Sequence, residues 1–338
     1  MTGELHIVKL FPNYLSDRES LRSFLAKHQL KFEEQIQAAY GVLDECGRLR
    51  ACGCAEGSIL KCFAVDPELR GQNILGQLVS HLVQNRFSAG LYHLFIVTRE
   101  KNRALFANCG FTPLTQAAGV VLLDNQPDGP GIFAAPLRQP GDERRIIGAL
   151  VMNCNPFTLG HRALAEFACR QCDAVYLFVV EEDRSLFSAQ VRLDLVREGT
   201  ADLPNIRVYP SGPYMISSAT FPTYFLKEGE SAAEIQSQLD ISLFAQRIAP
   251  LLHITRRFAG SEPLDTTTAS YNRAMSQLLP RYGIEFVEME RKERAGAVIS
   301  ASRVRKLLSE YGVCREVLDL VPPSTGRYLK KHFSRMSV

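Results

Sequence analysis

The sequence predicts an α/β protein in two domains, the second built on a parallel sheet. Three observations carry this. Short apolar runs alternate with amphipathic segments along most of the chain, the pattern of strands followed by helices. Between about residues 124 and 145 the alternation stops, in a stretch holding Pro127, Gly129, Pro130, Gly131, Pro136, Pro140 and Gly141. The 338 residues also suffice for two domains of ordinary size, each able to bury its own core. The expected partition is 1–124, a connection over 125–144 whose prolines give it defined geometry, and 145–338.

In the first domain the apolar spacing predicts a helix over 17–28 and strands over 37–43, 49–55 and 58–65. A helix over 74–86, a strand over 92–98 and a helix near 104–107 follow. Strand 58–65 runs into a turn, Asp66-Pro67-Glu68-Leu69-Arg70-Gly71-Gln72-Asn73. This order resembles the GCN5-related acetyltransferase (GNAT) fold, in which a strand with a splayed edge feeds an Arg-x-x-Gly-x-Gly/Ala loop around the pyrophosphate of acetyl-CoA. Asn102-Arg103-Ala104-Leu105-Phe106-Ala107-Asn108-Cys109-Gly110-Phe111 is similar to a later pattern of that family, with the spacing off by one. The loop departs from the family. Asn73 stands where the first glycine is required, Leu75 takes the second small position, and Gly76 falls one place late. Glycine there lets the backbone approach phosphates closely. The expectation is a GNAT-like fold without the usual acetyl-CoA loop, with a related pantetheine arm left open as ligand.

In the second domain strands fit 146–152, 174–180, 205–209 and 254–260, and helices fit 159–172, 188–200, 233–248, 266–279 and 302–311. Such alternation argues for a parallel sheet covered on both faces, with ligands at the carboxyl ends of its strands. No internal repeat links the two halves.

Two stretches about 140 residues apart carry the chemistry. Asn155-Pro156-Phe157-Thr158-Leu159-Gly160-His161-Arg162 joins a strand to a helix, with Thr158-x-Gly160-His161 at the junction. Ile299-Ser300-Ala301-Ser302-Arg303-Val304-Arg305 opens a second helix with two hydroxyls, then Arg303, Arg305 and Lys306. Unpaired N–H groups and the dipole at a helix start favour anions. One start with a histidine and another with arginines suit the triphosphate of a nucleotide. On this reading Gly160 lets a ribose or base lie against the helix start, and His161 donates to phosphate oxygens. Thr158 offers a hydroxyl on the same side. Ser300 is the N-cap, and Ser302 shares the cap or faces the ligand. Asn153 and Asn155 either order the loop or touch phosphate. The bland alternative, a capped Gly-His turn and a helix with solvated arginines, fits either stretch alone better than both together.

These residues look like the HxGH and ISSTxxR motifs of the nucleotidyltransferase superfamily, with Thr158 replacing the first histidine. The likeness extends from Met152 through Arg162 to Glu182-Asp183 with Phe187, Arg192-Leu193-Asp194-Leu195-Val196, Gly199-Thr200-Ala201-Asp202, Ile216-Ser217-Ser218-Ala219-Thr220-Phe221-Pro222 and Phe258-Ala259-Gly260-Ser261-Glu262-Pro263. Together these resemble the citrate lyase ligase family, which joins a GNAT-like domain to a Rossmann-like nucleotidyltransferase domain. The resemblance covers nearly the whole chain and is most specific from about 150 to 305.

It implies an acid–thiol ligase. ATP, acetate and the thiol form of citrate lyase would give AMP, diphosphate and acetylated, active lyase, by way of acetyl-adenylate. The thiol would end a phosphoribosyl-dephospho-CoA arm on the acyl carrier subunit of the lyase. Thr158 and His161 would serve the phosphates near the reacting centre, and Arg303 and Arg305 the leaving pyrophosphate. Asn153, Asn155, Phe157, Gly160, Gly260, Glu262, Ser300 and Ser302 would complete the nucleotide site, with Glu262 at adenine or ribose. Mg²⁺ is expected with ATP, without an assigned protein ligand. Glu182 and Asp183 would help position metal or acyl arm, or cap a helix. The 216–222 segment, with Tyr214 and Tyr224 nearby, reads as substrate pocket or lid. Three rivals stay open: a coenzyme-forming adenylyltransferase acting on a phosphorylated precursor, an acyltransferase using acetyl-CoA, and a nucleotide-sensing regulator.

Composition narrows the remaining classes. Net charge is +3 and the basic residues are scattered, against a dominant nucleic-acid footprint. No apolar run approaches the roughly 20 residues needed to span a bilayer. The N-terminus lacks the layout of a signal peptide, so a cytoplasmic protein is expected. Nine cysteines, an odd number in apolar stretches, read as small core residues in a reducing compartment. Cys52 with Cys54 and Cys169 with Cys172 are close pairs, but neither has a second pair at zinc-finger spacing.

Overall fold

The computed structural model describes residues 6–181, 185–215, 221–261, 266–290, 293–294 and 297–333. The chain forms two compact units: Met1–Gly129 with Ser218–Leu239, and Pro130–Ser217 with Asp240–Val338.

The first unit runs β1 (Ile7–Leu10), α1 (Leu15–Lys27), β2 (Ala38–Leu43), β3 (Leu49–Glu56), β4 (Ile59–Val65) and α2 (Ile74–Ser88). It continues with β5 (Phe95–Arg99), α3 (Arg103–Ala107), β6 (Thr112–Ala117) and β7 (Val120–Asp124). One seven-stranded sheet, β1-β2-β3-β4-β5-β7-β6, holds them all. Only β4 and β5 are parallel neighbours, paired at Ile59↔Phe95 and Leu60↔Ile96 and not beyond. A mostly antiparallel sheet with one parallel pair that parts is the GNAT-like arrangement expected. Its core gathers Leu60 and Ile96 from those strands with Val79 and Leu82 of α2 and Phe106 and Phe111.

The turn before α2 takes an unusual form. Gly71 and Asn73 both have left-handed backbones, at φ +82° and +57°. A side chain at Gly76 would meet the Asn73 Oδ1 at 2.4 Å, so the Asn73 carboxamide lies over the first turn of α2.

Residues 221–239 belong to this unit, which corrects the expectation of an uninterrupted domain over 145–338. Main-chain bonds seat them. The Glu33 carboxylate accepts from the N–H groups of Thr223 (2.5 Å) and Tyr224 (3.0 Å), and Lys31 N–H donates to the Tyr224 carbonyl at 2.7 Å. Arg99 donates to the Phe225 carbonyl at 3.2 Å and pairs with Glu230. Tyr224 is buried, and burial pushes its phenol above the ordinary range while a bond with Thr98 opposes the shift. Lys61, also buried, pairs with Glu33 at 2.7 Å and Glu56 at 2.5 Å. Burial alone would lower its pKa, and the two carboxylates more than reverse that.

The second unit begins in the stretch read as a connection. Helix α4 (Gly129–Ala134) and two 3₁₀ turns, Ala135–Leu137 and Asp142–Arg144, fill it. Asp142 is buried, pairs with Arg207 and accepts from the Tyr176 hydroxyl at 3.0 Å, so residues from 130 onward pack as part of the unit.

Then come β8 (Ile147–Met152), α5 (Leu159–Cys169), β9 (Ala174–Val179), α6 (Ala189–Gly199) and β10 (Ile206–Pro210). Helix α7 (Ala232–Leu243) runs on into a π-helical turn, Phe244–Ile248. Next are β11 (Ile254–Gly260), α8 (Thr266–Leu278) and β12 (Glu285–Met289). A two-residue pair, β13 (Glu293–Arg294) and β14 (Ala297–Val298), precedes α9 (Ala301–Tyr311), α10 (Arg315–Leu318) and α11 (Pro323–Phe333).

The main sheet is five-stranded and parallel throughout, in the order β10-β9-β8-β11-β12. All six residues of β9 are buried, as an internal parallel strand requires. The chain starts in the middle at β8, builds outward through β9 and β10, and returns to build the other side from β11. This Rossmann-like order reverses direction beside β8, and the crevice at such a reversal lies outside the carboxyl ends of the strands.

All nine cysteines are free, with Cys52 and Cys54 fully buried as small core residues. Among the described residues no helix is long and apolar enough to cross a membrane.

Candidate active site

The carboxyl end of β8 leads through residues 153–157 into α5. Thr158 is the N-cap, with extended backbone and a hydroxyl that accepts from the His161 N–H at 3.4 Å. The reciprocal half of this capping box decides the chemistry. Thr158 N–H donates to His161 Nδ1 at 3.1 Å, so in the neutral ring Nδ1 is the acceptor and Nε2 carries the hydrogen. The Thr158 hydroxyl also lies 3.1 Å from Nδ1. Thr158 is almost fully buried, 1% exposed, whereas His161 is half-buried.

Phe157 does not face solvent as a nucleotide-contacting residue would. It is 0% exposed, and its ring occupies the space a side chain at Gly199 would need, at 2.6 Å. Its plane lies 10° from that of His161 with centroids 6.0 Å apart, so it supports the imidazole from the core. That corrects its placement among the ligand-contacting residues.

Gly160 also serves a purpose other than the one expected. A Cβ there would meet the Ile299 carbonyl oxygen at 2.9 Å. The missing side chain admits the segment entering α9, not open space for a ribose. A second bond reinforces the approach, since Arg305 Nη1 donates to the Asn155 carbonyl at 2.5 Å. The two motifs, distant in sequence, are thus in direct contact.

Ser300 caps α9 by accepting from Arg303 N–H at 3.2 Å. Ser302 is exposed and accepts from Arg305 Nη2 at 3.3 Å. Arg303 donates from Nη2 to Glu316 at 2.7 Å, while its buried Nη1 has no hydrogen-bond acceptor among the described residues. A buried guanidinium N–H without an acceptor is costly unless a ligand oxygen supplies one.

Both asparagine side chains bond to neighbouring segments of the chain. Asn155 is 8% exposed, and its side-chain oxygen accepts from Phe187 N–H at 3.2 Å. Asn153 is exposed, and its Oδ1 accepts from Arg192 at 2.7 Å. At the end of β11 the Gly260 carbonyl accepts from Asn272 at 2.9 Å. Glu262, Glu182, Asp183 and residues 216–220 lie outside the described residues. Burial holds the Cys154 thiol well above the ordinary range, with Arg192 opposing, so Cys154 is not a nucleophile.

Arg192 belongs to the 192–196 run that carries the resemblance but has no role in the sequence reading, although a signal is present. It falls on the apolar face of α6 with Leu195, Val196 and Gly199, at helical spacing. A cation on a buried stripe needs buried acceptors. Among the described residues no group of three or more His, Cys, Asp or Glu is gathered in a way that would hold a metal ion.

The parallel sheet, the reversal beside β8 and the Thr-x-Gly-His cap define a nucleotidyltransferase-type domain. Residues 147–329 match the family described as the citrate lyase ligase C-terminal domain. The chain is 42% identical to the [citrate [pro-3S]-lyase] ligase of Klebsiella pneumoniae, over 92% of each. It is 40% identical to the protein of that name from Escherichia coli K12, over 92% of this chain and 89% of the other. The chain belongs to the citrate lyase ligase family. Among solved structures, a GNAT-family acetyltransferase of Staphylococcus aureus aligns over 36% of this chain and 100% of its own, at 11% identity and a TM-score of 0.31.

Proposed function

We propose that this protein activates citrate lyase by ATP-dependent acetylation of the thiol on its acyl carrier subunit, through an acetyl-adenylate formed in the second unit. The observation that carries the chemistry is the bond from the Thr158 N–H to His161 Nδ1, which selects the neutral tautomer with its hydrogen on Nε2. Beside it stands α9, with its own capped N-terminus and an unsatisfied Arg303 N–H.

In the first step a carboxylate oxygen of acetate attacks the α-phosphorus of ATP. The bond from that phosphorus to the β-bridging oxygen breaks, and pyrophosphate leaves with the electron pair. Little covalent work falls to the chain. It holds the reactants in line and stabilises charge growing on the leaving group. His161 Nε2–H donates to an oxygen of the phosphate chain, and Thr158 acts through His161 by fixing its tautomer. Arg303 Nη1 and the free N–H groups at the start of α9 take the leaving pyrophosphate.

In the second step the thiolate of the phosphoribosyl-dephospho-CoA arm attacks the acetyl carbonyl. The carbonyl carbon's bond to the AMP oxygen breaks, giving the thioester and AMP. Mg²⁺ would accompany ATP on phosphate and water oxygens. Among the described residues no group of three or more His, Cys, Asp or Glu is gathered to hold it. The arm is assigned to the GNAT-like unit, and unchanged arm affinity in Arg70→Ala and Asn73→Ala would overturn that assignment.

The test is ATP–pyrophosphate exchange with labelled pyrophosphate and no lyase present. Exchange that depends on acetate supports the reading. Exchange that ignores acetate but needs a phosphorylated coenzyme precursor would make the protein an adenylyltransferase.

A further inference from the structure

We propose that Arg192 is a positioning residue for adenylate formation, holding the loop that presents His161 through the shape of its guanidinium. The proposal rests on the function given above. Arg192 is 0% exposed and heads the fully buried side chains by size, so it touches no substrate. Its Nε donates to the Phe187 carbonyl at 3.0 Å. Its Nη1 donates to the Asn153 carbonyl and the Asn153 Oδ1, both at 2.7 Å, and to the Val180 carbonyl at 2.6 Å. Those carbonyls belong to the segment leaving β8, the segment leaving β9 and the approach to α6. One planar cation ties three chain segments together at the carboxyl edge of the sheet.

The loop needs such a hold. Cys154 has a left-handed backbone, φ +52°, which a non-glycine residue adopts only where its surroundings enforce it. Its thiol is buried in the core beneath the loop. The carbonyls of the residues on either side are gripped by two arginines, that of Asn153 by Arg192 and that of Asn155 by Arg305. Without the Arg192 grip Cys154 can relax, turning Asn155 and carrying Thr158 and His161 with it. A lysine keeps the charge but gathers its donors on one nitrogen. It cannot reproduce a fork that reaches Phe187 on one side and Asn153 with Val180 on the other.

The experiment compares wild type, Arg192→Lys and Asn153→Ala in the full chain. It reads kcat and KM for ATP in acetate-dependent pyrophosphate exchange, beside thermal melts. Displacement of reacting groups by about 1 Å costs about 100-fold in rate, so R192K is expected to lose about 100-fold in kcat with KM for ATP within about three-fold. Asn153 is exposed, so N153A keeps the fold and loses only one acceptor of the clamp. Its kcat is expected to fall about five-fold at unchanged KM, and it decides the matter if R192K does not fold. A folded R192K with wild-type kcat overturns the proposal, as does N153A with raised KM and intact kcat, which would place Asn153 on phosphate. A wild type without acetate-dependent exchange would instead overturn the proposed function.

Discussion

Gly160→Ala tests the contact that joins the two halves of the site. The added methyl would lie 2.9 Å from the Ile299 carbonyl oxygen, 3.5 Å from the Thr158 hydroxyl and 3.7 Å from the Ile299 Cβ. The first distance is too short, and its partner is backbone, so the start of α9 must retreat from α5 by about half an ångström to reach ordinary contact. Two effects on stability oppose one another. Alanine improves on glycine within a helix by about 0.5–1 kcal/mol, and overpacking costs about 1–3 kcal/mol. A net loss of about 0–2.5 kcal/mol would lower Tm by less than about 10 °C in a unit of this size. Catalysis should suffer more. If a 1 Å misplacement costs about 100-fold, half of that costs about ten-fold in kcat. The assay is pyrophosphate exchange at varied ATP, with a melt as control. The account predicts kcat down about ten-fold and KM for ATP within about three-fold. Wild-type kcat would refute it. So would a raised KM at unchanged kcat, the signature of a glycine that makes room for nucleotide.

Three further predictions follow from the site and the first unit. His161→Ala removes the Nε2 donor and should lower exchange by about 100- to 1,000-fold, measured at saturating ATP, while Thr158 still caps α5. Arg303→Met removes the buried unpaired N–H and should weaken pyrophosphate inhibition and slow exchange by at least about ten-fold; intact inhibition by pyrophosphate would remove Arg303 from the leaving-group site. Asp66 is buried, and burial opposes its ionisation, but bonds from Arg50, Lys27 and His28 prevail and lower its pKa from 3.8 to about 2. A depressed carboxyl stabilises the fold above its ordinary pKa and loses that contribution as pH falls through the folded value. The Tm difference between wild type and Asp66→Asn should therefore be full above about pH 5 and close as pH approaches 2, and a gap independent of pH would contradict this.

The sequence was informative where a single element declares itself. The all-apolar run of β9, the turn chemistry at Asn155 to His161 and the capped start of α9 can each be read from a few adjacent residues. Contacts between distant residues were not readable in that way. Gly160 looked like an opening for a ligand because nothing near it announces the Ile299 carbonyl. Phe157 sits in a motif, yet a glycine in α6 admits it to the core. Edge strands escaped too: β1 has only four residues, and β12 exposes Glu285 and Glu288, so neither shows a strong apolar pattern. The 221–239 segment joins the first unit through bonds such as Glu33 to Thr223 and Tyr224, which make use of backbone and leave no periodicity. Arg192 is visible in the sequence within the 192–196 run and as a cation on an apolar stripe, but its acceptors among the described residues are, but for the Asn153 side chain, main-chain carbonyls, which carry no sequence signature.

The most direct test of the central claim follows oxygen from acetate. Acetate labelled with ¹⁸O in both carboxyl positions is turned over with ATP and the thiol form of citrate lyase, and the AMP is analysed by mass spectrometry. Acetyl-adenylate formation places one acetate oxygen on the α-phosphorus, and thiolysis of the acetyl carbonyl leaves it there. One ¹⁸O in each AMP is the predicted result. Unlabelled AMP, with the label in pyrophosphate or lost to water, would contradict the account.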